Sequence, residues 1–137
     1  GVKVDVALPC ATQNEVTLEE AKKIVANGTK YYIEVANMPT TAEAVEYFLE
    51  NGVTVAPSKA VNAGGVCVSG LEMSQNSQRL AWTAEKVDEM LKSSMKNIYD
   101  ISVAAAARYG MGYDLIAGAN IAGFEKVAEA MVAQGVY

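Results

Sequence analysis

The residues best suited to hold a small ligand lie in one run, "KAVNAGGVCVSG", Lys59 to Gly70. Asn62, Val66 and Ser69 recur at four- and three-residue spacing, which places them on one face of a helix. Gly64 and Gly65 fall in the first turn of such a helix. Without side chains there, backbone N–H groups stay open, and a helix N-terminus favours negative charge. An amide, a hydroxyl and open N–H donors suit a carboxylate. The same pattern fits a purely structural role, in which the glycines let a helix close on a sheet and Ser69 is buried and bonded. Asn37, just before Met38-Pro39, offers an amide to a sugar hydroxyl or a carboxamide, or serves as a helix-entry turn residue. Thr12, Gln13 and Asn14 follow Pro9-Cys10 at the equivalent place one strand earlier. Cys10 has no base beside it and reads as a buried thiol. Lys59, the only lysine on these loops, reads as an ion-pair partner.

Composition removes whole classes of chemistry. The chain has no histidine, so Ser–His and Cys–His nucleophilic pairs and most zinc sites are excluded, and no metal site is expected. Two cysteines far apart in sequence make no disulfide framework, which points to reduced thiols and a cytoplasmic protein. The net charge is −5, and Lys22, Lys23, Lys86, Lys92 and Lys96 lie among acids as on solvated helix faces. Nucleic acid is therefore not an expected partner. Neither is a membrane, because no apolar run is long enough to span one and no signal peptide is visible. With 137 residues, 51% apolar and 20% charged, the chain fits one globular domain.

Elements that could position these residues follow from the pattern. Val2–Leu8, Lys30–Asn37 and Val53–Pro57 read as buried strands. Between them lie two helices, with Thr-x-x-Glu capping boxes at Thr17/Glu20 and Thr40/Glu43 and with Gly28 and Gly52 behind them. Strands alternating with helices predict an α/β fold, a partial doubly wound, Rossmann-like parallel sheet. Ligands of such sheets meet the loops at the C-terminal strand ends. Here those loops are "PCATQNE", "ANMPTT" and "PSKAVNAGG". The second half is helical: about Ala63–Leu80, then a long helix capped by Thr83 and ending near Gly110. Val87, Met90, Leu91, Ile98, Ile101 and Ala105 form its apolar stripe. A last helix over "ANIAGFEKVAEAMVAQG" is expected to turn Ile121, Phe124, Val127, Ala128 and Met131 inward. The glycines of "GYDLIAGANIAG" have no strand before them and carry little weight as a phosphate loop. The chain thus reads as one domain, strand–helix units over about 1–57 and C-terminal helices over about 63–137.

Four strings, "LPCATQNE", "EVANMPTT", "APSKAVNAGGVCVSGLEMSQN" and "GANIAGFEKVAEAMVAQG", occur here in order along essentially the whole chain. Together they resemble the C-terminal part of hexameric bacterial glutamate dehydrogenases, within the glutamate, leucine, phenylalanine and valine dehydrogenase family. The resemblance implies interconversion of L-glutamate with 2-oxoglutarate and ammonia by hydride transfer to NAD or NADP, in a homohexamer. It implies that Ser69 reaches the substrate's side-chain carboxylate, Val66 lines the pocket and Asn62 lies near the amino-acid end. Asn37 is then near the nicotinamide and its ribose, and Ala11, Thr12 and Gln13 flank the cofactor. The family's catalytic lysine and aspartate, and its glycine-rich pyrophosphate turn, have no match in this chain. The chain opens at Gly1 directly into a strand pattern, as an excised second half of a cofactor domain would. Such a piece is expected to be inactive alone and to expose an apolar sheet edge prone to self-association. Two other readings stand beside this one: a non-catalytic α/β module holding a carboxylate or nucleotide, and a dehydrogenase of branched-chain or aromatic amino acids.

Overall fold

A computed structural model describes residues 2–135; Gly1, at which the chain opens, and Val136 and Tyr137 lie outside the described residues. The fold is α/β. Strands β1 (Val6–Ala7), β2 (Tyr31–Ile33) and β3 (Thr54–Ala56) form a parallel sheet in the order β1-β2-β3. Helix α1 (Leu18–Ala26) joins β1 to β2 and α2 (Ala42–Glu50) joins β2 to β3. Then follow α3 (Ser58–Val61), α4 (Ala63–Gln78), α5 (Ala84–Arg108) and α6 (Leu115–Gln134).

The strands are shorter than the β-branched runs that contain them. Only Val6 and Ala7 pair with Tyr31 and Tyr32, and Tyr31–Ile33 with Thr54–Ala56. Beyond the ladder the backbone is still tied. Val35 and Ala36 N–H both donate to the Pro9 carbonyl, and Val16 bridges Thr40 in parallel. Thr17 caps α1 as expected, with the Glu20 carboxylate accepting from its N–H at 3.2 Å. The second capping box does not form. Helix α2 starts one residue later, at N-cap Thr41, because Thr40 is buried and its hydroxyl hydrogen-bonds the Tyr32 hydroxyl at 2.9 Å. Gly28 and Gly52 adopt φ of 83° and 73°, the left-handed conformation expected behind each helix.

The core lies between the sheet and α1/α2. Tyr32 and Val55 point into it against Ala21, Ala44 and Phe48, and the Tyr32 and Phe48 rings stack at 4.2 Å. Side chains alternate across a strand, so Val6 and Tyr31 face the other way and stay exposed. Among the described residues no strand pairs with the outer edge of β1, where Val4, Val6 and Leu8 are exposed. The apolar edge expected from the sequence is therefore present.

The helical half departs from expectation at its seam. Helix α6 begins at Leu115, not Ala119, because Asp114 caps it and accepts from Ile116 and Ala117 N–H at 2.9 Å. Its buried residues are Leu115, Gly118 and Ala122, facing Ser102, Ala105 and Ala106 of α5. Small residues let these helices approach closely, and the bulky stripe turns outward. Phe124 is 64% exposed, and Val127 and Met131 are exposed as well, while Ile121 and Ala128 are half-buried. On α5, Ile101 likewise reaches solvent, while Val87, Met90, Leu91 and Ile98 are half-buried and Ala105 is buried. Arg108 closes the far end of the seam on Glu125 at 2.7 Å.

Two measurements test this packing. A Cβ at position 118 would lie 2.0 Å from the Ser102 carbonyl oxygen, backbone that cannot yield locally. Gly118→Ala is expected to lower stability by about 1–3 kcal/mol in denaturant titration, and an unchanged midpoint would refute the close approach. Burial pushes the Tyr32 phenol up to about 12, against the opposing hydrogen bond from Thr40. Unfolded tyrosine ionises near ~10, so the Tyr32 contribution is intact below that pH and is lost as pH rises towards 12. Tyr32→Phe is expected to flatten the stability loss over this alkaline window. An equal loss in both proteins would show that Tyr32 is not its source.

Candidate functional site

The C-terminal strand ends deliver three loops to one edge, and backbone hydrogen bonds lace the first two together. Asn14 N–H donates to the Met38 carbonyl at 2.9 Å, and Val16 N–H to that of Pro39 at 2.9 Å. Asn14 and Met38 both take positive φ, 55° and 51°, where the two chains turn. The tie holds Ala11, Thr12 and Gln13 on a loop adjoining the one that carries Asn37. All four residues are exposed. The Ala11 N–H is taken by the Glu15 carboxylate at 3.0 Å.

The third loop is anchored by a residue that the sequence reading passed over. Glu34 is buried at the end of β2, and its carboxylate accepts from Ser58 N–H at 3.0 Å, at the start of α3. A buried carboxylate needs such partners. The available signal was one acid inside the otherwise apolar and aromatic run "YYIEV". Among the described residues Lys59 forms no ion pair; its ammonium donates to the Asn120 side-chain oxygen on α6. Glu34 and Lys59 thus fix α3 from two sides.

Asn62 is the joint between α3 and α4, with φ −86° and ψ 1°. It therefore precedes the helix that carries Val66 and Ser69. Its amide Nδ2 donates to Asn37 Oδ1, so the structure brings together two residues far apart in sequence. Val66 is 78% exposed and Ser69 is exposed, its hydroxyl donating to the Gly65 carbonyl at 3.2 Å. Among the described residues no hydrogen bond joins Ser69 to Asn37, and Ser69 lies seven positions beyond Asn62, a rise of about 10 Å along the helix.

The two glycines have different roles. A Cβ on Gly64 would meet Leu91 at 3.3 Å and Met95 at 3.4 Å, so this glycine packs α4 on α5. Gly65 has open space where its side chain would be. Packing and accessibility, open alternatives in the sequence, are divided between neighbours. Cys10 is exposed rather than buried, its thiol donating to the Leu8 carbonyl at 3.3 Å, and Cys67 is half-buried.

The site is an open edge and not an enclosed hole. A separate apolar cavity of about 110 Å³ lies behind it, lined by Ala56, Val61, Met95 and Leu115 among others, and includes none of the candidate residues. Among the described residues no group of three potential metal ligands occurs, and no helix is long and apolar enough to cross a membrane. The edge offers amides, a hydroxyl and an accessible helix turn. It can bind and orient a polar ligand, but the candidate residues Ala11, Thr12, Gln13, Asn37, Asn62, Val66 and Ser69 supply no carboxylate, lysine or thiol for acid–base work.

Residues 1–135 match the Glutamate/Leucine/Phenylalanine/Valine dehydrogenase family. The chain is 66% identical to the NAD-specific glutamate dehydrogenase of Clostridium symbiosum over 137 residues, which cover 99% of this chain and 30% of that protein. It is 56% identical to the NADP-specific glutamate dehydrogenase of Salmonella typhi, with 98% and 30% covered. A solved glutamate dehydrogenase at 66% identity superposes with a TM-score of 0.95, with 99% and 30% covered. The hetero-hexameric glutamate dehydrogenase of Thermus thermophilus, 28% identical, gives 0.89, with 99% and 32% covered. The chain spans about 30% of the length of the curated relatives it matches. On its sequence match and its fold, the chain belongs to the glutamate/leucine/phenylalanine/valine dehydrogenase family.

Proposed function

We propose that this chain forms the C-terminal part of the dinucleotide-binding domain of a glutamate dehydrogenase, where it binds and orients both substrate and cofactor. The observation that carries the reading is the joining of Asn37, at the edge of a parallel sheet, to Asn62, at the foot of the helix bearing Ser69. Both relatives described above at 56% identity or more are named glutamate dehydrogenases. In this reading Ser69 donates a hydrogen bond to the side-chain carboxylate of L-glutamate or 2-oxoglutarate. Val66 forms the pocket wall and Asn62 meets the amino-acid end. Asn37 holds the nicotinamide end of NAD or NADP, flanked by Ala11, Thr12 and Gln13.

The edge fits such a cofactor chemically. Its loops are small and polar, and Asn37 is exposed. When bound, the cofactor supplies the hydride acceptor. This chain's residues would align the substrate carbon with it and leave proton transfer to a lysine and an aspartate elsewhere in a polypeptide of the relatives' length. A homohexameric assembly is the accompanying proposal, supported by the hexamer named for the Thermus thermophilus relative.

Ser69→Ala in the full-length protein removes one hydrogen bond to a charged group, worth roughly 1.5–3 kcal/mol. Glutamate kcat/KM is expected to fall about ten- to a hundredfold while cofactor KM holds. Unchanged glutamate kinetics would overturn the assignment. The 137-residue chain by itself is expected to give no glutamate-dependent reduction of NAD or NADP. A measurable rate from the pure chain would show that the acid–base groups lie within it.

A further inference from the structure

The corner between β3 and α3 is gripped by one residue of the neighbouring strand. Glu34 N–H donates to the Ala56 carbonyl at 3.1 Å, and the Glu34 carboxylate accepts from Ser58 N–H at 3.0 Å. The two bonds straddle Pro57, and the donor in each is a backbone N–H, so both directions are fixed. Pro57 is the N-cap of α3 and has no side-chain oxygen with which to bond the first helical N–H groups. Glu34 supplies that acceptor from β2 instead. It is only 7% exposed. Among the described residues no buried side-chain oxygen lacks a partner, so its second oxygen reaches water.

Little else joins α3 and α4 to the sheet. Neither helix has a buried residue. Lys59 ties α3 to Asn120 of α6, and Gly64 packs α4 on Leu91 and Met95 of α5. Those contacts are to other helices. The Asn62 and Asn37 amides meet, but both belong to the candidate site itself. Glu34 is thus the buried tie, outside the candidate set, between the sheet and the segment bearing Asn62, Val66 and Ser69. The Asn37 loop is held separately, by Asn14 N–H on the Met38 carbonyl and by Val35 and Ala36 N–H on that of Pro9.

We propose that Glu34 is a positioning residue for the substrate side of the site: its grip on Ser58 N–H sets where α3 and α4 present Asn62, Val66 and Ser69. This rests on the reading above, which puts L-glutamate against those three residues. Orientation is costly to lose, since a misplacement of about 1 Å can lower a rate ~100-fold. Release of the grip frees the substrate segment and leaves the cofactor loops in place. The two ligands therefore respond differently to a change at Glu34. What matters is an acceptor at that position rather than its charge. A glutamine oxygen accepts from Ser58 N–H equally well, with its NH2 turned to water.

Steady-state kinetics on the full-length dehydrogenase tests this with Glu34→Ala, Glu34→Gln, Ser58→Pro, Ser69→Ala and the Glu34→Ala/Ser69→Ala double variant. Ser58→Pro removes the donor instead of the acceptor, at a first helical position where proline is tolerated, and keeps the test open if Glu34→Ala does not fold. Glu34→Ala and Ser58→Pro are each expected to raise glutamate KM about tenfold with cofactor KM within about twofold. Glu34→Gln is expected to keep both within about twofold. The double variant is expected to lose less glutamate kcat/KM than the product of the single losses, because a displaced α4 has already withdrawn Ser69. A purely structural role would reduce the amount of active enzyme and leave both KM values unchanged, and that result overturns the proposal. So does a Glu34→Gln variant as impaired as Glu34→Ala, or a double variant that equals the product. If Ser69→Ala weakens glutamate kinetics while Glu34→Ala and Ser58→Pro do not, the positioning role falls and the site reading stands. Unchanged glutamate kinetics in Ser69→Ala would remove the site reading and the positioning role with it.

Discussion

Parallel pairing of three very short strands is the constraint on which this structure depends. Parallel neighbours need a crossover, and here each crossover is a helix. Both crossover helices pack against the same core, around Tyr32 and Phe48. Parallel order also sends every strand's C-terminal end the same way, so three loops distant in sequence emerge side by side. A ladder of two or three residues is too short to hold those loops by itself. The hydrogen bonds that run past the strands, Val35 and Ala36 to Pro9 and Asn14 to Met38, extend the pairing into the loops. The functional edge is a continuation of the sheet by irregular backbone.

Polar contacts inside that edge are few and each has a positional consequence. Glu34 is the clearest case. A buried carboxylate is costly unless bonded, and its bond to Ser58 N–H makes the start of α3 depend on the end of β2. Thr40 behaves similarly: it gives up the N-cap of α2 to satisfy the buried hydroxyl of Tyr32. A cap exposed to water is replaceable by the next threonine, whereas a buried hydroxyl without a partner is not.

The helical half shows the same competition between local pattern and tertiary contact. Periodicity alone favours burying Phe124, Val127 and Met131. The close approach of Gly118 to the Ser102 carbonyl instead selects a seam of small residues and leaves the large ones outside. The seam joins Ser102, Ala105 and Ala106 near the end of α5 to Leu115, Gly118 and Ala122 at the start of α6, and it turns those three side chains away from the contact.

Alternation of β-branched runs with capped helical runs determined the α/β class, the parallel sheet and the loops that meet at its edge, because these follow from local periodicity and chain connectivity. Spacing put Val66 and Ser69 on one helix, and four ordered strings carried the family. Spacing could not decide what Gly64 and Gly65 do, because packing and openness use the same residue. Only the position of α5 separates them, with Leu91 and Met95 against Gly64 and nothing against Gly65. The Asn37–Asn62 bond, the burial of Glu34 and the true inner face of α6 were likewise settled by tertiary structure. Each depends on which distant element arrives at a given surface, and no local window of sequence contains that information.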